Sequence, residues 1–556
     1  MQNIKKRLRA AARNNPVTAV SLKGLMAAGR AWAGRQRNKK KQVWVFNAGS
    51  LFCGNPKWLF IYVNRYRPGI IPIWICDNAD TVRQVRELGW RAHLYRSARG
   101  IMAQAGADVY CVEQFKENLS PYLPKDVTYL NLFHGVGCKP IEKRLRYGYL
   151  VEHVAKKYIQ YNEFFWNNTL FLVTSPLMEK HFTLQCGLRE EMLIRVGYPR
   201  CIYQQQYEPV ATFDPDIIRQ RNLPADTRIA AYVPTFRDNP EYDFWGNALP
   251  DLDALTAVLA KEHILLILKV HPHMQNDPAG KAVRERTKDC PWLMFWDNAL
   301  DIYEICPEID LGIIDYSSMF YDMLAGGVRH FIRYFFDYDA GNMRDFVFDI
   351  KEMTCGRECG TFAELLEALQ SYGGEDDAAD MARISDLFWS YSDEGTMDRI
   401  VDKALTYRPA HNTKLPVLYS FGLHETLITG KIPEGAPAFT DEALGQYTKG
   451  RWFGRFEAAL KKKKQVVLIS DTDLDGEAIR RILGRLSPDA ADIRMYLKSG
   501  TGADKTSKQL YLEAFLGTDG YPYRRWVHIG ADPVRDGEIP SQLGIQTVFK
   551  KGNLRL

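Results

Sequence analysis

Four short segments gather the side chains that could do chemistry. They are "NLFHGVGCK" with His134 and Lys139, "AYVPTFRDN" with Thr235, Arg237 and Asp238, "LKVHPHM" with Lys269, His271 and His273, and "IIDYSSMF" with Asp315, Ser317 and Ser318. Each closes an apolar run of strand type. A neutral histidine suits proton abstraction near pH 7. Lysine, arginine, hydroxyls and the free N–H groups of a helix start suit a diphosphate. Taken singly, these residues have plain explanations: a lone histidine is more often structural, and Ser317 or Ser318 could simply cap the helix that follows. Four such ends together fit a cleft that holds a phosphorylated ligand and contains a base.

The elements that must position them alternate strand and helix. "KQVWVFNAG" reads as a strand, "NPKWLFIYVNRY" as a helix, "IIPIWICDN" as a strand and "TVRQVRELG" as a helix, with "DVYCVEQ" and "VTYLNLFHG" continuing the series. A second series starts near residue 228 with "RIAAYVPTF", "LDALTAVLA", "ILLILKVHP" and "DLGIIDYSS". Such alternation reads as parallel sheets covered by helices on both faces. We therefore expect two doubly wound domains, at 43–205 and 206–408, with a cleft between them. The stretches "SYGGEDDAADMARISD" and "YRPAHNTKLP" mark a boundary, and a third series ("PVLYSF", "QVVLIS", "DIRMYL", "RRWVHIG") occupies 409–556.

With 556 residues the chain is too long for one core. Its ten cysteines are scattered, and Cys355 and Cys359 in "CGREC" lack a second pair at zinc spacing, so no disulfide framework or metal site is indicated. No apolar run approaches the ~20 residues of a spanning helix, and the start lacks the features of a signal peptide. Charge is distributed unevenly. Of the 73 Lys and Arg, 15 precede Asp77, the first acidic residue, leaving 58 against 67 acidic residues in the rest. Residues 1–42 read as a basic arm with apolar insertions, suited to an anionic membrane surface, with a solvated tail or a nucleic-acid arm as the alternatives. Nothing downstream supports nucleic acid.

The quoted segments, in their order, closely resemble the CDP-glycerol glycerophosphotransferases, the teichoic acid polymerase and primase family. That family shows "W-H-G-T-P-x-K", "G-x-P-R-N-D", "Y-A-P-T-W-R-D", "K-x-H-P" and "T-D-Y-S-S-x-x-F-D", here "FHGVGCK", "GYPRCI", "YVPTFRD", "KVHP" and "IDYSSMFYD". "GNPKWLF" resembles its early "D-N-P-K", and "YFFDYDAGNMRDFVFD" a later tyrosine-rich segment; the match runs from about 45 to 408. The resemblance implies a GT-B-like pair of Rossmann-type domains. It implies transfer of glycerol phosphate or ribitol phosphate from a CDP-activated donor to a hydroxyl of a membrane-linked glycan, or of a teichoic- or capsule-type polymer, with release of CMP. It implies no required cofactor, and a place on the inner face of a bacterial cell membrane. Carried over residue by residue, His134 is the base, and His271, Ser317, Ser318, Arg237 and Lys269 bind the donor diphosphate. Arg200, Thr235, Asp315 and Lys139 are further cleft candidates. Phe133, Val136 and Gly137 depart from the family's Trp and Thr-Pro, and Cys201-Ile202 from Asn-Asp, which leaves the acceptor open.

The third series resembles the HAD-type domain found beside some bacterial glycan transferases. In "FGLHETL" the nucleophilic aspartate falls on Gly422 and the second on Glu425; Ser470, Lys505 and Asp536 match later motifs, and Ala531 replaces a metal-binding aspartate. Glycine has no nucleophile, so a non-catalytic domain is expected. Two other readings of the whole remain: a sugar-nucleotide glycosyltransferase of the same architecture, and a scaffold of polymer assembly without activity.

Overall fold

A computed structural model describes residues 16–549 apart from 147, 149, 238, 240, 272, 273, 275, 339–345, 372–377, 410–414, 431–439, 491, 499–504 and 519–522. Asp238, His273 and the first fifteen residues of the basic arm thus lie outside the described residues.

Three parallel sheets follow one another. The first holds β1 (Gln42–Phe46), β2 (Ile70–Cys76), β3 (Ala92–Leu94), β4 (Val109–Val112), β5 (Thr128–Asn131), β6 (Thr169–Val173) and β7 (Leu193–Arg195), in the order β3-β2-β1-β4-β5-β6-β7. The second holds β8 (Arg228–Tyr232), β9 (Ile264–Leu268), β10 (Leu293–Phe295), β11 (Leu311–Ile314), β12 (His330–Tyr334) and β13 (Arg357–Cys359), ordered β10-β9-β8-β11-β12-β13. The third holds β14 (Val417–Phe421), a separate small ribbon of β15 (Ile428–Thr429) and β16 (Thr448–Lys449), then β17 (Gln465–Ser470), β18 (Arg494–Leu497), β19 (Arg525–Ile529) and β20 (Gln546–Val548). Its order is β18-β17-β14-β19-β20. In each sheet the first strand lies inside and the winding reverses beside it, which opens a crevice at the carboxyl ends of the neighbouring strands.

Burial on both faces explains the continuous apolar strands. All seven residues of β2 are buried. Its Pro72 precedes the register at which β3 begins to pair, from Trp74 onward, so its missing N–H spoils no bond to that edge. In β8, Ile229 and Ala231 face the large core shared with the first domain, while Ala230 and Tyr232 face a second core. Alternate residues thus serve two cores. The helix Pro16–Asn38 packs on the helix Ala98–Ala105, where a Cβ on Gly29 would overlap the Met102 backbone. That part of the basic arm is docked on the first domain, with Lys39, Lys40 and Lys41 exposed at its end.

Two devices tie the first domains together. The helices Ala378–Trp389 and Thr396–Thr406, inside the second expected domain, cross back to the first: Tyr391 N–H donates to the Thr174 carbonyl at 3.0 Å, and Asp398 pairs with Arg67. Lys57, fully buried on the helix Gly54–Tyr66, pairs with Glu304 and, at 3.2 Å, with Asp301 of the second domain. The third domain packs on the helix Leu150–Asn168. Its Leu510, Tyr511, Tyr523 and Trp526 join the core that contains Tyr158 and Phe165, and Lys508 pairs with Glu152 at 2.8 Å.

Candidate functional site

His134 stands just beyond β5 on a loop whose shape is imposed from three sides. Phe133 has φ 51°, a left-handed conformation that costs a non-glycine residue about 1 kcal/mol or more. Its N–H donates to Asn131 Oδ1 at 3.1 Å, and its carbonyl accepts from Asn55 Nδ2 at 2.8 Å. The His134 ring is open to the cleft, and its Nδ1 lies 2.9 Å from the Glu113 carbonyl oxygen. A carbonyl can only accept, so Nδ1 carries the hydrogen and Nε2 keeps its lone pair. The protein packed around the ring pulls its pKa below the ordinary value, with Arg200 adding to the effect and the Glu113 bond opposing it. Near pH 7 this is a neutral imidazole with its basic nitrogen available.

The facing wall belongs to the second sheet. Thr235 follows β8, Lys269 and His271 follow β9, and Ser317 and Ser318 follow β11. These five and Lys139 line one cavity of about 330 Å³, together with Phe236, Asn298 and Tyr316. Lys269 donates to Asn298 Oδ1 at 3.3 Å; burial lowers its pKa, with nearby Asp301 acting the other way. The Phe236 and His271 rings lie 5.3 Å apart. The two serines differ. Ser317 Oγ accepts from Met319 N–H at 3.2 Å, the local bond of a helix start, whereas Ser318 at the N-cap makes no side-chain capping bond. Capping therefore accounts for Ser317 and leaves the Ser318 hydroxyl for the cavity. The helix Met319–Ala325 has only seven residues, so its dipole is small, and side chains must supply most of the attraction for an anion.

Arg237, Asp315 and Arg200 do not line this cavity. Arg237 is buried, donating to Asp315 Oδ2 at 2.8 Å and through a fork to both oxygens of Asp337 at 2.7 and 2.8 Å. Burial works against its charge, but the two carboxylates hold it protonated. Asp315 also accepts from the Thr235 N–H and hydroxyl, at 2.9–3.0 Å, which fixes the loop behind the wall. Arg200 is buried on the helix Pro199–Gln206 between the two domains. Asp337, Asn55 and Asn298 were not singled out from the sequence. Their roles depend on partners up to 145 residues away, and only the family resemblance of "GNPKWLF" hinted at Asn55.

In the third domain a cavity of about 400 Å³ opens at the ends of β14, β17 and β19, lined by Gly422, Glu425, Ser470, Lys505, Ala531 and Asp536 among others. A Cβ on Gly422 would stand 3.4 Å from Lys505 Nζ and 3.5 Å from Asp536 Oδ1. Asp536 is saturated. It pairs with Lys505, meets His528 Nε2 at 3.1 Å, and accepts the N–H groups of Ala531 and Asp532 at 2.9 and 3.0 Å. Although burial opposes it, His528 and Lys505 hold this carboxyl far below the usual carboxylate range.

Two parallel α/β domains place a histidine on one side and a lysine–hydroxyl wall on the other, the arrangement of a ligand-binding cleft between doubly wound domains. Comparison with known proteins narrows it. Residues 30–406 match the model of the CDP-glycerol:poly(glycerophosphate) glycerophosphotransferases, and the chain belongs to that family. It is 24% identical over 319 residues to a teichoic acid poly(glycerol phosphate) polymerase of Staphylococcus epidermidis, covering 55% of this chain and 41% of that protein. It is 25% identical over 357 residues to the Bacillus subtilis polymerase of the same name, covering 62% and 45%. The chain thus spans less than half the length of these curated relatives. A solved structure of the wall teichoic acid polymerase TagF shares the fold, with a TM-score of 0.53 at 20% identity, over 73% of this chain and 97% of that one.

Proposed function

We propose that this chain transfers a polyol phosphate, glycerol phosphate or ribitol phosphate, from a CDP-activated donor to a hydroxyl of a membrane-linked glycan or teichoic- or capsule-type polymer. The observation that carries the reading is the pairing of His134, its basic nitrogen freed by the Glu113 carbonyl, with a facing wall of Lys269, Thr235 and Ser318. The acceptor oxygen attacks the phosphorus that bears the polyol and forms a new P–O bond. His134 Nε2 takes the hydroxyl proton as the bond to the bridging oxygen breaks, and CMP leaves with that electron pair. Lys269, the hydroxyls and His271 bear the charge on the diphosphate, while Asp315 and Arg237 hold the loop that presents Thr235. Incubation with a panel of CDP-polyols, followed by chromatography of CMP, tests this reading directly. Release of UDP from a sugar nucleotide instead would favour the glycosyltransferase alternative.

Donor affinity tests the wall. His271→Ala, and Ser317→Ala combined with Ser318→Ala, are each expected to weaken CDP-glycerol binding about fivefold or more by calorimetry, since one neutral hydrogen bond contributes ~1 kcal/mol. Unchanged affinity in both would leave the serines with a purely local role.

The third domain fits a degenerate HAD-like fold used for packing. Gly422 offers no nucleophile, and both oxygens of Asp536 are already occupied. The full chain is expected to leave p-nitrophenyl phosphate untouched in magnesium. Magnesium-dependent hydrolysis abolished by Asp471→Asn or Asp473→Asn would reveal a working site.

The basic arm supports peripheral attachment to an anionic membrane surface, in the bacterial cytoplasm. No helix among the described residues is long and apolar enough to cross a membrane. Because the helix Pro16–Asn38 is part of the first domain's packing, charge reversal tests attachment better than deletion. Lys39→Glu, Lys40→Glu and Lys41→Glu together should release the protein from phosphatidylserine vesicles at moderate salt, each lysine contributing ~1 kcal/mol near such a surface. Equal sedimentation of both proteins would argue against it.

A further inference from the structure

We infer that the buried Arg200–Asp322 pair is a positioning clamp that sets the base His134 against the phosphate-facing hydroxyl of Ser318, across the domain boundary. The inference rests on the transfer reading above and adds two residues that do not touch the substrate. Arg200 Nη2 donates to the His134 carbonyl at 2.8 Å and also pairs with Asp322. Asp322 lies on the helix Met319–Ala325, directly after Ser318. One guanidinium therefore joins the base loop of the first domain to the helix that follows the cavity wall of the second.

Each partner of the clamp is itself held. Tyr303 donates to Asp322 Oδ2 at 2.6 Å, and the Arg200 backbone N–H donates to Asn55 Oδ1 at 3.1 Å, the side chain that also grips Phe133. Tyr198 donates to the Gly135 carbonyl at 3.1 Å. Gly135 lies between the two halves. A Cβ there would lie 3.4 Å from Arg200 Nη2 and 3.5 Å from Ser318 Oγ, and its φ of 149° disfavours any other residue. The base loop and Ser318 are therefore in near contact. Arg200 is buried and its charge is answered by Asp322, which leaves it unsuited to the donor diphosphate. Both contacts leave from Nη2 alone, so what lysine cannot reproduce is the fixed direction of the planar guanidinium's N–H groups and its seat over the Tyr303 ring, 4.7 Å from the centroid.

The charges around His134 make the clamp measurable. Arg200, Glu142 and Asp322 act on the ring, and the Glu113 carbonyl holds Nδ1. Loss of Asp322's charge leaves Arg200 uncompensated, so the His134 pKa should fall further. Loss of Arg200 leaves Asp322 uncompensated, so it should rise.

Three full-length variants test this: Arg200→Lys, Arg200→Gln and Asp322→Asn. Arg200→Lys should lower kcat for CMP release 10- to 100-fold with donor KM changed less than threefold, as expected of misplaced reacting groups. The His134 titration, followed by NMR on histidine-labelled protein and assigned with His134→Asn, needs no substrate. It should move up in Arg200→Gln and down in Asp322→Asn. Mere loosening would instead carry both toward the ordinary histidine value. Opposite NMR shifts with no CMP release by the wild type would uphold the clamp and overturn the transfer reading. Shifts of the same sign, or wild-type kcat in Arg200→Lys, would overturn the clamp.

Discussion

His134→Ala is expected to reduce transfer by about 10²–10⁴-fold while CDP-donor binding survives. The imidazole stands on the first domain, whereas Thr235, Lys269, His271 and Ser318 all come from the second. Removal of the ring should therefore abolish proton abstraction and leave the donor's contacts in place. The pH profile carries an independent sign. The working form is neutral histidine, and the packing around the ring lowers its pKa below the ordinary value. kcat/KM should consequently hold as pH drops through 6.5, the usual midpoint of histidine, and fall only at lower pH. Near-wild-type turnover of His134→Ala, or an acid limb centred well above 6.5, would remove His134 from the role of base.

A second large effect is expected in stability. Arg237→Ala leaves Asp315 and Asp337 as buried carboxylates with their shared cation gone, and Tyr316, whose hydroxyl bonds Asp337 at 2.9 Å, loses the guanidinium over its ring. Breaking a buried ion pair by deleting one partner costs about 3–5 kcal/mol, and here one arginine serves two carboxylates. Denaturant titration of the full chain should show the second domain unfolding early, with transfer lost in parallel. The combined change of Arg237→Met, Asp315→Asn and Asp337→Asn removes the charges together and should restore part of the stability. A loss below ~1 kcal/mol in Arg237→Ala would mean that the cluster is hydrated and adds little.

Much of this was legible in the sequence, for local reasons. Apolar runs such as "IIPIWIC" and "ILLILK" can satisfy both faces of a buried parallel strand, and the polar residues just beyond them mark the crevice. What escaped was set by distant partners or by missing punctuation. β6 follows the helix Leu150–Asn168 without a turn residue, because Asn168 ends the helix by donating to the carbonyls of Lys125 and Val127 at 2.9 and 2.7 Å. "GYPRCI" reads as a turn, yet Pro199 opens a helix as its first residue, where a missing N–H costs nothing. The assignment of Arg237 to the diphosphate rests on the family resemblance of "YVPTFRD", which its charge at a strand end suits. Asp337, far along the chain, is what turns that charge inward.

The helix Leu150–Asn168 lies between the first sheet and the third domain, and its two faces are covered at very different times. Chains emerge from the ribosome at about 5–20 residues per second. The strands β5 and β6 are available at once to cover one face, but Tyr511, Tyr523 and Trp526 are made several hundred residues later, roughly tens of seconds at that rate. For that interval the face that receives Leu510, Tyr511, Tyr523 and Trp526 has no cover. A chain broken off before the third domain would keep that face bare. Expression of residues 1–408 alone should thus yield aggregates or chaperone-bound protein, even though every group proposed for transfer is present, because the third domain closes the first domain's core.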